Sequence, residues 1–269
     1  MKSRAINLAS YNIHGGVGRD GRCVPRRIVD VLNELDCDIV ALQEVESGTT
    51  GFDMLGYLQR ATGMHAVLGP TLLRPDTEYG NGLLSRYPIA SVQHIDLSIS
   101  GHEPRGALDV EIEIGGAALR VVATHLGLRP AERREQIQRL LAAFERDRPL
   151  TSVLMGDINE WFLWGRPLRW LHRHFKATPA RATFPAHWPL FALDRIWADP
   201  RHLLERIATH DSPLARIASD HLPATARLNW QSTAGFKPPP NPCRAPDLDG
   251  GALPTRGPAH APPRHRTPG

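Results

Sequence analysis

Short apolar runs closed by turn residues dominate the first 230 positions, and they read as strands. The first is Ala5–Ile13, which stops at Gly15-Gly16, a pair that favours a turn. Others are Ile39–Leu42, Gly82–Ser85, Ile89–Leu97, Ala107–Ile114, Leu119–Thr124, Ser152–Met155, Leu193–Trp197 and Ala224–Leu228. Helical spacing is confined to three stretches. Val24–Leu35 has Pro25 for its first turn, and Ile28, Val31, Leu32 and Leu35 recur three and four residues apart. Ala131–Phe144 interleaves charged residues with Ile137, Leu140, Leu141 and Phe144, an amphipathic surface pattern, and Pro167–Phe175 reads as a shorter helix. Strands outnumber helices, and many neighbours are joined by turns too short for a crossover helix. Largely antiparallel or mixed sheets, packed together with helices outside, are the expectation.

After Trp230 the composition changes to Pro, Gly, Ala and Arg, including Pro238-Pro239-Pro240. Such a stretch has too few large apolar groups to offset its ordering entropy, so residues 1–230 are expected to form one domain and 231–269 a disordered or extended tail with an unknown partner. The apolar fraction of 41% allows a sizeable core and excludes a wholly disordered or fibrous chain. The formal charge of +4 is uneven. The tail holds Lys237, Arg244, Arg256, Arg264 and Arg266 against Asp247 and Asp249, which leaves residues 1–230 nearly neutral and argues against a surface built to wrap DNA. Cys23, Cys37 and Cys243 are odd in number with no C-x-x-C spacing, so neither a disulfide framework nor a structural zinc is expected. No secretory signal or membrane-spanning run is seen; a cytoplasmic protein is expected, with any membrane contact peripheral.

Chemistry enters where strands end. Asn12, Glu44, Asn81, His125, Asp157, Asn159, Asp194, Asp220 and His221 all follow apolar runs or begin them. In Met155-Gly156-Asp157-Ile158-Asn159 a carboxylate and a carboxamide stand on alternate residues and so point the same way in an extended chain, although an Asx turn would use the same residues. In Ser219-Asp220-His221 a carboxylate and an imidazole are adjacent. An imidazole trading protons near neutral pH needs a carboxylate to fix its tautomer, and Asp194 is available for that unless it pairs with Arg195. Glu44 follows Ile39-Val40-Ala41-Leu42, so its carboxylate is expected at the sheet's end, where a hard cation or plain solvent would meet it. Magnesium prefers such oxygen ligands, and no thiolate or multi-histidine set competes for a softer metal.

The stretches Ser10-Tyr11-Asn12-Ile13-His14, Leu42-Gln43-Glu44, Tyr79 to Arg86, Thr124-His125-Leu126, Gly156 to Asn159, Leu193 to Ile196 and Ser219-Asp220-His221 resemble, in order, the motifs of the endonuclease/exonuclease/phosphatase superfamily of metal-dependent phosphoesterases. The resemblance spans residues 5–228. It implies a four-layer α-β-β-α sandwich of the deoxyribonuclease-I-like kind, two packed mixed β-sheets flanked by helices with the site at one rim. It also implies roles: Glu44 holds Mg²⁺, with Mn²⁺ able to substitute and Asn12 close by; Asp157 orients or deprotonates the attacking water; Asn159 binds phosphate or a second metal; Asp220 is a further metal ligand or contact. His221, held by Asp194, stabilises developing charge or manages a proton, and His125 donates to a phosphate oxygen. Asn81 belongs to the substrate-binding set.

Around these motifs, Arg105 either reaches a phosphate bidentately or is an exposed strand-edge cation. Trp161-Phe162-Leu163-Trp164 and Trp170 are core, or else a surface that stacks bases or meets lipid. Thr183-Phe184-Pro185 and Trp188 are expected to wall the substrate pocket, and Arg133-Arg134 to lie on a solvated helix face. The substrate is a phosphoester in a nucleic acid, a phospholipid or a small metabolite, the near-neutral domain weighing against a dedicated DNA-repair nuclease. A catalytically silent scaffold of the same fold, its proline-rich tail docking a partner groove, is the alternative.

Overall fold

A computed structural model describes residues 2–48, 52–74, 77–146 and 151–232. Eleven strands among them form two sheets. The first sheet contains β1 (Lys2–Asn12), β2 (Ile39–Gly48), β3 (His65–Arg74), β4 (Thr77–Ser85), β10 (Leu204–Thr209) and β11 (Ala224–Ser232), in the order β10-β11-β1-β2-β4-β3. The second runs β5 (Ile89–Asp96), β6 (Gly106–Ile114), β7 (Ala117–His125), β8 (Ser152–Asp157), β9 (Asp194–Asp199). Only β1–β2 and β7–β8 pair in parallel, and a helix lies within each of those connections. Both sheets are mixed, as the strand-rich pattern implies.

Helices α1 (Pro25–Leu35) and α2 (Met54–Thr62) cover the first sheet, and α3 (Pro130–Arg146) and α4 (Arg166–Phe175) cover the second; α5 (Ala215–Ala218) is a single turn. The alternating strand pattern explains the layering. One face of each sheet feeds a shared central core, in which Ile6, Leu8, Leu83, Val110, Val121 and Met155 are fully buried. The opposite faces pack on helices, Tyr11 and Leu42 against Ile28 and Leu58, and Leu154 and Trp197 against Ile137 and Leu171. The result is the expected four-layer α-β-β-α sandwich.

Two expectations need correction. Glu44 does not stand at a strand end: β2 continues to Gly48, and the register against β4 shifts between Leu42 and Val45. This bulge holds Glu44 at φ 58°, a left-handed conformation that re-aims one side chain without ending the strand. The elements α2, β3 and β10 were not expected at all. Asp53 caps α2 by accepting from Gly56 N–H at 2.9 Å, and Gly63 ends it at φ 63°. Of the expected tail, only Gln231 and Ser232 are described, and they extend β11; residues 233–269 lie outside the described residues. Among those described, no helix is long and apolar enough to cross a membrane.

Candidate active site

The parallel pairs β1–β2 and β7–β8 end at the same rim, so the residues that follow them meet there. Asn12, the last residue of β1, is 1% exposed; its Nδ2 donates to Glu44 Oε1 at 2.9 Å and to Asp157 Oδ2 at 3.3 Å, while its Oδ1 accepts from His14 N–H. One amide thus joins the two sheets' carboxylates. Ser219 Oγ donates to the Asn12 carbonyl at 2.7 Å and anchors the segment carrying Asp220 and His221.

Asp157 Oδ2 is the centre of the cluster. Besides Asn12 it faces His125 Nε2 at 3.5 Å and His221 Nε2 at 3.8 Å, and its Oδ1 accepts from Asn159 N–H at 2.9 Å. Burial, reinforced by Asp194, raises the Asp157 carboxyl to about 6, although the His221 cation opposes this. His221 Nδ1 donates to Asp194 Oδ2 at 2.8 Å, and Thr183 Oγ1 donates to the same oxygen at 2.6 Å. Burial works against the charged ring, yet the Asp194 carboxylate outweighs it and holds His221 up to about 10. Asp194 therefore serves His221 and does not pair with Arg195.

His125 behaves oppositely. Arg105 Nη1 lies 2.9 Å from its Nδ1, and burial together with that cation holds the ring's proton affinity well below the ordinary value. Arginine has only donors, so Nδ1 accepts and the proton resides on Nε2, which faces the Asp157 carboxylate; Asn159 Nδ2, itself a donor, lies 3.1 Å away without accepting that proton. Asn159, at φ 53°, is fixed by donating to the Leu126 carbonyl at 2.8 Å. Two histidines within reach of one carboxylate oxygen are thus in different states, one neutral and one cationic.

Asn81 donates to the Gly106 carbonyl at 2.9 Å, and its Oδ1 has no protein partner. With Thr71, Tyr79, Gly80, Arg105 and His125 it lines a crevice beside the cluster. Arg105 is 8% exposed, so it is a buried cation facing that crevice and not a strand-edge arginine. Asp220 lies further out, accepting from Ser219 Oγ at 3.3 Å with its carboxylate 3.8 Å from His14 Nδ1.

Sequence reasoning missed several supports. Burial, followed by the nearby Glu44 carboxylate, pushes the Tyr79 phenol upward. Phe184 rests on the His221 ring at 4.8 Å between centroids. Trp188 is 71% exposed. Arg133 is 1% exposed, bridging to Glu160, because the loop after Asn159 folds back over α3; it is not on a solvated face. Trp161 to Trp164 are exposed and Trp170 half-buried, so the aromatic run is surface.

Asp157, Asp194 and His221 bring one donor atom each within 4.8 Å of one another, enough to hold a metal. Asp194 Oδ2 and His221 Nδ1 already satisfy each other, however, so they read as a charge pair. The oxygens of Glu44 and Asp157, converging on Asn12, fit a hard divalent cation better. Asn12 itself turns its nitrogen, not its oxygen, toward them.

The fold is thus a two-sheet sandwich with carboxylates, carboxamides and imidazoles gathered at one rim. Residues 9–221 match the family model described as Endonuclease/Exonuclease/phosphatase family, and the chain belongs to that family, whose members act on phosphoester bonds and are generally divalent-metal dependent. It is 30% identical over 259 residues to the uncharacterized protein YbhP of Escherichia coli K12, covering 84% of this chain and 96% of YbhP. The crystal structure of an endonuclease/exonuclease/phosphatase from Beutenbergia cavernae superposes with a TM-score of 0.70 at 23% identity, over 84% of this chain and 72% of that one. A mannosyl-6-phosphatase of Bacteroides thetaiotaomicron does so with 0.66 at 17% identity, over 82% and 98%. These two likenesses are likenesses of fold.

Proposed function

We propose that this chain hydrolyses phosphoester bonds with Mg²⁺ as its resident ion and Mn²⁺ as a working substitute. The observation that supports it most is the convergence on Asp157 Oδ2 of Asn12, His125 and His221, with Glu44 joined through Asn12. Glu44 would hold the cation, Asp220 adding an outer oxygen, while Asn12 keeps Glu44 in place beside Asp157. Bound there, the ion supplies positive charge to a phosphoryl oxygen and lowers the pKa of a water.

Asp157 is the base that orients the attacking water and takes its proton; a carboxyl raised to about 6 is a stronger base than an ordinary one and still largely ionised at neutral pH. Cationic His221, kept charged by Asp194, faces the negative charge that builds on the phosphoryl group. Neutral His125 offers its Nε2–H to a second phosphoryl oxygen, Asn159 contributes its amide, and Arg105 and Asn81 receive the substrate from the crevice. Such preorganised donors cost little reorganisation as charge develops.

The test is hydrolysis of bis-p-nitrophenyl phosphate and p-nitrophenyl phosphate with Mg²⁺, Mn²⁺ or chelator. Activity dependent on metal and lowered about 10²–10⁴-fold in folded Asp157→Ala is expected. A chelator-insensitive rate, or Asp157→Ala at the parental rate, refutes the roles. A folded protein that hydrolyses no phosphoester would be the silent scaffold instead.

A further inference from the structure

Nine large apolar side chains are exposed among the described residues, and six of them, Trp161, Phe162, Leu163, Trp164, Trp188 and Leu190, lie on two loops. The loops touch each other. Trp161 stands edge-on to Phe184 and Phe191, with centroids 5.7 and 4.8 Å apart, and Phe184 in turn rests on the His221 ring. The apolar patch therefore borders the candidate active site directly. At its outer limits Trp164 and Trp188 are 73% and 71% exposed, and Leu163 and Leu190 are 56% and 64% exposed. Soluble surfaces rarely leave such side chains contiguous and uncovered.

Charge says what covers them. Residues 161–190 contain Arg166, Arg169, Arg173, Lys176 and Arg181, all exposed, and no aspartate or glutamate. The remainder of residues 1–230 has more acidic than basic side chains. A protruding tip of tryptophan and leucine within a belt of arginine matches an anionic bilayer surface, where indole rings seat at headgroup level and each nearby cation adds attraction. Single-stranded nucleic acid also favours aromatic and basic surfaces, but bases stack on rings, and Leu163 and Leu190 have none. Aliphatic tips gain from entering hydrocarbon.

We propose that the loops 160–165 and 184–191 dock the protein on an anionic membrane, presenting the rim to a phosphoester in a lipid headgroup. The substrate half rests on the phosphoesterase reading. Docked this way, the substrate reaches His221 and the crevice from the side on which Phe184 and Trp161 stand, without leaving the interface.

The experiment compares the parent with the double variant Leu163→Ser/Trp164→Ser, both positions more than half exposed. Each is sedimented with vesicles of phosphatidylcholine alone or mixed with phosphatidylglycerol, and tryptophan emission is recorded. Release of water-soluble product is followed from vesicles doped with phosphatidylglycerol, phosphatidic acid or a phosphatidylinositol phosphate, alongside bis-p-nitrophenyl phosphate in solution. The parent is expected to bind the anionic vesicles with a blue shift and to release as salt rises. The variant should bind about tenfold more weakly or worse, lose lipid hydrolysis, and keep the parental rate on the soluble ester. A parent that ignores anionic vesicles at low salt, a variant that binds equally, or an emission shift caused by single-stranded oligonucleotide and not by vesicles overturns the docking. Hydrolysis of the soluble ester with no lipid cleaved overturns the lipid substrate alone. Vesicle binding without hydrolysis of any ester supports the docking and overturns the phosphoesterase reading.

Discussion

Replacing Arg133 by methionine removes a guanidinium that is almost wholly buried although it sits on α3, a helix rich in charge. Its Nε and Nη2 both lie 3.4 Å from Glu160 Oε2, and its Nη1 donates to the carbonyls of Leu128 at 2.5 Å and Gly127 at 3.3 Å. Methionine keeps the apolar stem but leaves the Glu160 carboxylate, itself 4% exposed, without its cation. Removing one partner of a buried pair costs about 3–5 kcal/mol, because the other charge stays desolvated. In a domain of this size each kcal/mol lowers the melting temperature by about 2–4 °C, so a drop of roughly 10 °C is expected.

Calorimetry and urea denaturation measure this directly. Adding Glu160→Gln to Arg133→Met should recover part of the loss, because the unpaired charge is then gone, and the double-mutant cycle reports the coupling. The pair also ties Gly127 and Leu128, just after His125, to Glu160, just after Asn159. Well below the melting transition, hydrolysis by Arg133→Met should therefore fall as the His125–Asn159 contact loosens. A loss within about 0.5 kcal/mol, as for an ordinary surface arginine, would refute the reasoning.

Gly156→Ala would place a Cβ 1.9 Å from the Thr124 carbonyl oxygen on the paired strand β7, one residue before Asp157. A loss of about 1–3 kcal/mol in urea denaturation is expected, and unchanged stability would contradict the tight parallel pairing. Stability in chelator should fall as pH rises. Asp157 is raised from 3.8 to about 6, and His221 from 6.5 to about 10, so the protons they bind in the folded state stabilise it at low pH. That contribution is lost first between about 4 and 6 and then between about 6.5 and 10. Asp194→Asn should flatten the upper part of a stability-against-pH series, and a profile unchanged by this substitution counts against the charge pair. Burial, with the Asp38 carboxylate adding, pushes the Cys37 thiol up to about 12. In a Cys23→Ser/Cys243→Ser protein, Cys37 should resist alkylation at mildly alkaline pH until denaturant is added; labelling at the rate of a free thiol would show that the core opens.

What was legible in the chain, and what was not, divides along a physical line. Asn12, His125, Asp157 and Asp194 sit at the ends of apolar strands, where a lone polar residue has a local alternative but no local need, and seven short polar-ended stretches in order exposed the rim. Glu44 was read at a strand end and stands on a bulge instead: a bulge depends on the register of β4, which no property of Leu42-Gln43-Glu44 encodes. Likewise α2 and β3 contain Gly56, Gly69 and Pro70, each unfavourable for its element, and only packing against α1 and β4 outweighs that cost.

The buried arginine is the hardest case, and it shows why. Ala131-Glu132-Arg133-Arg134-Glu135-Gln136 has the composition of a solvated helix, yet Glu132, Arg133 and Gln136 are buried because two loops close over that face. Gln136 accepts from Gly127 N–H at 2.8 Å and donates to the Leu97 carbonyl at 3.3 Å, so these side chains satisfy backbone groups that a covered loop would otherwise strand. A catalytic side chain reveals itself by lacking a structural reason in its neighbourhood. A supporting side chain has its reason elsewhere in the chain, 27 residues away for Arg133 and Glu160, and becomes visible only when the loops it holds are in place. The same logic governs Trp161 to Trp164. An aromatic run looks alike whether it fills a core or crowns a loop, and here the one loop whose rings contact it, 184–191, leaves its outer faces to solvent.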